Sequence, residues 1–203
     1  MNPAIDDLIE FWFGRFPANR TEAEDRMRRW YGGGNEMDAE LEVRFADDMK
    51  RAASGELDNW SGTGRGCLAL ILLLDQCPRN TFRGQPNAFA QDEKALHWAL
   101  DGMSRGLDLE LDPLERVFFY MPLQHSESSE IQERSVSVFE ELARDTRPEY
   151  LQNCLSASAE YARLHRDIIV RFGRFPHRNS VLNRESTPEE RDYLAKGAPS
   201  FGQ

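Results

Sequence analysis

Eight consecutive apolar residues, 67–74 (Cys-Leu-Ala-Leu-Ile-Leu-Leu-Leu), end abruptly in Asp75. An element that is apolar on every side belongs in the middle of a core, so this run fixes the centre of whatever the chain builds. Its length alone suits a buried strand. Leu dominates, however, β-branched residues are nearly absent, and the neighbouring patterns are helical, which favours a central helix. Eight residues are far short of the roughly 18 or more that span a bilayer. A carboxylate directly after such a run sits at the edge of the core and requires a partner, most simply an arginine.

The rest of the chain reads as helix. Asn2-Pro3 offers a cap followed by proline at the first helical position, and Ile5, Leu8, Ile9, Trp12 and Phe13 follow at helical spacing. Thr21 and Glu24 form a capping-box pattern for a short helix toward Trp30. After Gly32-Gly33-Gly34, Asn35 is placed to cap a helix bearing Met37, Leu41, Phe45, Met49 and Ala52. Pro86 is expected to start a helix with Ala88, Asp92, Ala95, Ala99 and Met103 along one stripe. Asp112-Pro113 opens a short one through Phe119, and Ser128 or Ser129 caps the next. Leu151, Leu155, Ser158, Ala162, His165, Ile169 and Phe172 recur four and three residues apart, one face of a helix of about six turns. Thr187-Pro188 with Glu190 starts a last short helix. Sustained period-two alternation is absent and no linker is long enough to separate domains. The expectation is one all-α domain over residues 1–203, with about 8–10 helices and essentially no sheet.

Charge narrows the functional classes. The formal net charge of -10 argues against nucleic-acid binding, which favours a basic surface. Three cysteines, Cys67, Cys77 and Cys154, have no CxxC spacing and read as reduced, buried thiols of a cytoplasmic protein. The N-terminus carries no signal-peptide pattern. Of 25 basic residues only Lys50, Lys94 and Lys196 are lysines. Arginine suits planar, bidentate recognition of carboxylates and phosphates, although surface ion pairs account for most such residues.

Three clusters concentrate polar chemistry. The first follows the apolar run: Asp75, Gln76, Arg79 and Asn80, with Arg83 nearby. The second is Tyr120 through Glu127, where Pro122 is expected to break the helix and leave Gln124, His125, Ser126 and Glu127 in a turn. The third is His165 with residues 171–179, which pack Arg171, Arg174, His177, Arg178 and Asn179 into a short stretch. Arginines so close repel one another and need carboxylates, an anionic ligand or solvent. Cys77-Pro78-Arg79-Asn80 is echoed by Phe175-Pro176-His177-Arg178-Asn179, either because equivalent helix ends share a rim or by chance. Each cluster also has a structural reading. Asp75 would pair with Arg79 or with an arginine of the last long helix, Ser126 or Ser128 would cap a helix, and His165 would be a satisfied core histidine. No histidine pair has zincin spacing, no Gly-x-Ser-x-Gly elbow supports a nucleophilic serine, and no phosphate-loop or dinucleotide fingerprint is present, so neither metal nor cofactor is expected.

Taken in order, these segments resemble a bacterial family known as domain of unknown function 924. The matching residues include Phe11-Trp12-Phe13-Gly14, Trp60, residues 70–80, Phe82-Arg83-Gly84, Ala88-Phe89-Ala90 with Asp92, residues 120–127, Gln132-Glu133-Arg134-Ser135, His165 through Asn179, Ser186-Thr187 and Glu189-Glu190. The likeness covers nearly the whole chain, departing at residues 31–35 and at Cys77, where Phe is more usual. It implies a tetratricopeptide-like right-handed helical superhelix and no established reaction.

The leading expectation is a composite site for a small anionic ligand, a carboxylate or a phosphate. Arg79, Arg171, Arg174 and Arg178 would hold the anion, His125 or His177 would carry a proton, and Asp75 and Glu127 would orient the basic groups. Asn80, Arg83, Tyr120, Arg134, His165 and Asn179 complete the candidate set. The alternatives are an interaction module binding an acidic peptide or chain terminus, and a buried ion-pair network with a structural role only.

Overall fold

The computed structural model describes residues 2–31, 35–147, 149–199 and 201. Among them are ten α-helices and no strand. They are α1 (Pro3–Phe13), α2 (Arg20–Tyr31), α3 (Asn35–Ser54), α4 (Gly64–Ile71), α5 (Cys77–Thr81), α6 (Asp92–Ser104), α7 (Pro113–His125), α8 (Ser129–Asp145), α9 (Gln152–Phe172) and α10 (Pro188–Ala195). No helix among these residues is long and apolar enough to cross a membrane. The expected glycine break at 32–34, and the cap expected of the Asn35 side chain, lie outside what is described.

The apolar run does form the central helix, with residues 67–74 each at most 1% exposed. Its continuation carries the first feature that matters for a site. α4 passes into a π-helical turn, Leu72–Gln76, and then into α5 without leaving helical geometry. The Cys77 N–H reaches back to the Leu72 carbonyl, five residues away. Pro78 supplies the reason, because it lacks an N–H and its ring crowds the carbonyl four residues earlier; widening the preceding turn accommodates both. Asp75 lies in that turn and is fully buried, not at the edge of the core as expected. Close packing holds the helix in place. A Cβ on Gly66 would lie 2.0 Å from the Trp60 carbonyl oxygen, and one on Gly102 of α6 would lie 2.6 Å from Phe119 of α7.

Several expected boundaries shift. The cap of α2 is Asn19, whose Oδ1 accepts from the Glu22 N–H at 3.0 Å while its Nδ2 donates to the Glu22 carboxylate, so the cap lies two residues before Thr21. Pro86–Ala88 forms only a 3₁₀ turn, and α6 begins at Asp92. α7 does not stop at Phe119, nor does Pro122 break it, and the helix runs on to His125. Proline removes the N–H that would meet the Phe118 carbonyl, a loss normally worth about 3 kcal/mol in a helix interior. The end of α7 is held from outside. Gln132 of α8, fully buried, donates through Nε2 to the carbonyls of Gln124 and Ser126 at 2.7 Å each, and more weakly to Leu123 at 3.4 Å. These are the carbonyls a helix C-terminus leaves unpaired. Ser126 is the C-cap, and Ser128 caps α8 by accepting from the Ile131 N–H.

Gln132→Leu should therefore keep volume near the site but remove the side-chain donor from the Gln124 and Ser126 carbonyls. A loss of about 1–3 kcal/mol in urea unfolding is expected, and unchanged stability would contradict the assigned role of Gln132.

Candidate functional site

The extension of α7 places His125 directly over the π turn. Its Nδ1 lies 2.7 Å from Oδ1 of Asp75. Asp75 also accepts from the Gln76 side-chain amide, and its Oδ1 is 3.0 Å from Nη1 of Arg79. Burial opposes ionisation of Asp75, but Arg79, His125 and Gln76 together hold its carboxyl well below the usual carboxylate range. The imidazole shifts in the opposite sense from a surface histidine beside a carboxylate. Burial, and then the Arg79 guanidinium, lower its pKa more than Asp75 raises it. The ground state is thus a neutral ring with its proton on Nδ1, donated to an ionised Asp75, and with Nε2 carrying the free lone pair.

Arg79 extends the arrangement. Its guanidinium makes a bidentate pair with Asp92 at 2.8 and 2.9 Å, and donates to the Asp75 carbonyl at 2.9 Å. The same Asp92 meets Arg178 from the C-terminal segment, Nη1 to Oδ2 at 3.2 Å. Both guanidiniums lie over the ring of Phe89, at 5.5 Å for Arg79 and 4.7 Å for Arg178. The two halves of the Pro-Arg-Asn echo thus deliver their arginines to one carboxylate. They are not equally satisfied. Arg178 is 6% exposed, is held between Phe89 and Phe175, and its Nε has no hydrogen-bond partner among the described residues. Burial, and then the adjacent Arg79, bring its pKa down to about 10 despite Asp92. A guanidinium depressed in this way is short of negative charge.

Two of the other histidines, His165 and His177, form an aromatic group with Phe201. The His165 and His125 rings are 6.2 Å apart. Phe201 stacks on His165 at 3.9 Å, and His177 lies 5.4 Å from the same phenyl ring. His165 places Nδ1 2.7 Å from the Tyr161 carbonyl oxygen, which fixes the proton on that nitrogen. Burial, followed by the nearby His125, lowers its pKa to about 3; burial, followed by Arg178, does the same to His177. Among the described residues no group of three or more His, Cys, Asp or Glu is arranged to hold a metal ion.

The remaining basic residues of 171–179 face carboxylates of the C-terminal region. Arg174 forms a bidentate pair with Glu190 at 2.7 and 2.8 Å, and Arg171 pairs with Glu189. Asn179 donates to Ser186 and Glu190 and accepts from Arg184. Glu127 accepts the bidentate Arg184 guanidinium and the Phe175 N–H, so it pairs with none of the arginines anticipated for it. Tyr120 points into another network, donating to Asp108 and accepting from Arg116. Arg83 donates to Asp38 and Asn80, and Arg134 is exposed on α8.

A cleft of about 370 Å³ opens beside the cluster. His125, Arg178, Asp92 and Glu127 line it together with Glu93, Ser126 and an apolar wall that includes Phe89, Leu96 and Leu182. Asp75 and Arg79 stand behind His125 and Asp92. Two residues central to this geometry, Asp92 and Arg184, were not singled out in the sequence. Asp92 had left a signal, a carboxylate on the small-residue stripe of Ala88, Ala95 and Ala99. Arg184 had left none.

The family described as bacterial protein of unknown function (DUF924) matches residues 8–198. The solved structure of a protein of unknown function from Agrobacterium tumefaciens is similar, with a TM-score of 0.79 and 37% identity over 96% of this chain and 98% of that one. No curated protein matches the chain.

The buried imidazoles carry a consequence for stability. In the unfolded chain they protonate near pH 6.5, whereas His165 and His177 in the fold do so only near pH 3. The unfolded state binds more protons through that interval, so stability falls as pH falls, by roughly 1.4 kcal/mol per pH unit for each fully shifted ring. Melting temperature should drop continuously from pH 6.5 to 4.5, before most carboxylates titrate, and His177→Gln should make that descent shallower. A melting temperature flat across this range would contradict the neutral, buried assignment.

Proposed function

The chain belongs to the DUF924 family of bacterial proteins of unknown function, and from that premise we propose that its cleft binds a small anionic ligand, a carboxylate or a phosphate. Arg178 is the anion-binding group and His125 the proton carrier, with Asp75 orienting the imidazole. Arg79 has a supporting role, since its donors are already taken by Asp75 and Asp92. The observation that carries this reading is the state of Arg178. It is desolvated at the cleft wall, and the one carboxylate it bonds among the described residues is shared with a second arginine.

Chemically, the Asp75–His125 pair suits proton abstraction from a bound molecule or water. Nδ1 is committed to the carboxylate, and when Nε2 takes a proton Asp75 offsets part of the cost that burial and Arg79 impose on the imidazolium. No hydrogen bond links Ser126 to an imidazole among the described residues, so water is a better nucleophile here than the Ser126 hydroxyl. A volume near 370 Å³ lies within the roughly 300–1,000 Å³ of small-molecule sites. That favours a discrete ligand over the acidic peptide that the same arginine would also attract. A tetratricopeptide-like superhelix and a cytoplasmic setting belong to this reading as well. Supporting them are the unbroken succession of helices and three buried free cysteines.

Arg178→Met separates a binding role from a structural one. Asp92 retains its bidentate Arg79 in the variant, so stability should fall by only about 1–3 kcal/mol, less than the 3–5 kcal/mol for stranding a buried charge. In a thermal-shift screen of carboxylates and phosphates, a ligand at about 100 times its Kd should raise the wild-type melting temperature by roughly 5–10 °C. The variant should lose that response. A screen with no stabilising anion, together with a large stability loss in Arg178→Met, would assign the cluster to the fold alone.

A further inference from the structure

The lining of the cleft combines two chemistries. Arg178 and His125 can meet an anion and a proton. Phe89, Leu96, Ala90, Leu182 and the ring of Pro122 cannot hydrogen-bond a ligand through their side chains. The apolar lining is also pre-shaped. Phe89 is held by the guanidiniums of Arg79 and Arg178, and Leu96 packs against the core from α6. The charge along the cleft is uneven. Asp92, Glu93 and Glu127 all line it, against one guanidinium. Asp92 is neutralised by Arg79 and Glu127 by Arg184, but Glu93 is exposed on the rim. A dianion would meet Glu93 on the rim with only one lining cation to hold it, whereas a monoanion needs no more than Arg178 provides.

We infer that the ligand is a monocarboxylate bearing an apolar group, its carboxylate on Arg178 and its apolar part against Phe89, Leu96 and Leu182. This rests on the reading of the cleft as an anion site and names the ligand class within it. In that pose the carboxylate sits in a lining that also includes His125, and the apolar body displaces water from the apolar side chains. Each methylene removed from water multiplies affinity by about four. A cleft that covers one side of a short chain should return about half of that effect in logarithmic terms.

The test is isothermal titration of the full-length protein with four probes at constant ionic strength: acetate, hexanoate, inorganic phosphate and hexylamine. Hexanoate should bind at least tenfold more tightly than acetate, phosphate should bind no better than acetate, and hexylamine should not bind. Leu96→Ser, a change at a partly buried position, should weaken hexanoate several-fold and leave acetate unchanged. Equal affinities for acetate and hexanoate would overturn the apolar assignment and leave the anion site standing. Phosphate as the tightest ligand would overturn the monocarboxylate in the same way. Hexylamine binding as well as hexanoate, or no binding by any probe, would remove the anion site itself. If Leu96→Ser weakens acetate and hexanoate equally, the apolar group does not lie against that wall.

Discussion

The arrangement depends on one ionised carboxylate with no access to water. Asp75 is completely buried, and a carboxylate in that position is tolerated only if its charge and lone pairs are met by protein groups. Meeting them requires separate parts of the chain. Arg79 comes from α5, one turn beyond the π turn, and His125 from the end of α7. Arg79 is in turn tied to Asp92 at the start of α6, and Asp92 to Arg178 near the C-terminus. A single buried charge thereby fixes the relative positions of four segments whose own packing is mostly apolar and would tolerate small shifts.

Two prolines show how local geometry serves this constraint. Pro78 falls where an ordinary α-helix would suffer, and the π turn that accommodates it also carries Asp75. Pro122 falls three residues before His125, where it could have ended α7 too early for the imidazole to reach Asp75. Gln132 supplies donors to the carbonyls that follow, and the helix persists. In both places a local rule is violated, absorbed at Pro78 by a widened turn and borne at Pro122 by a helix whose end Gln132 holds, and such violations are expected near functional sites.

The pattern of helices was readable because amphipathic period and capping residues act locally. The central run at 67–74, the stripe from Leu155 to Ile169 and the Thr187–Glu190 box appear in the structure as the sequence suggests. Pro122 misled for the opposite reason, since the donor that rescues α7 lies ten residues downstream in another helix. The charged residues divide in the same way. Asp75 and Arg79, one turn apart, could be paired on paper. The partnership of Glu127 with Arg184 across 57 positions could not, nor could the capture of Arg171 and Arg174 by Glu189 and Glu190. Density of arginine in a sequence records where positive charge is needed without revealing which charges are already matched.

That distinction separates Arg178 from its neighbours. A buried ion-pair network is weak evidence of stability, because apolar residues of similar volume often stabilise a fold as well or better. Arg174 and Arg184 each hold a carboxylate through two donors, and their geometry is explained once Glu190 and Glu127 are counted. Arg178 is not explained in that way. It is desolvated, stands beside a second guanidinium and shares its carboxylate at the wall of an open cleft. On the proposed reading, the cost of holding it there would fall sharply when an anion binds, so the interaction would act in the bound state more than in the free one. His125 would be prepared in a similar sense, neutral in the free protein and backed by a carboxylate that offsets part of the cost of its protonated form. The proposed network is then half of an interaction, in which the fold supplies the cation and the ligand would supply the missing negative charge.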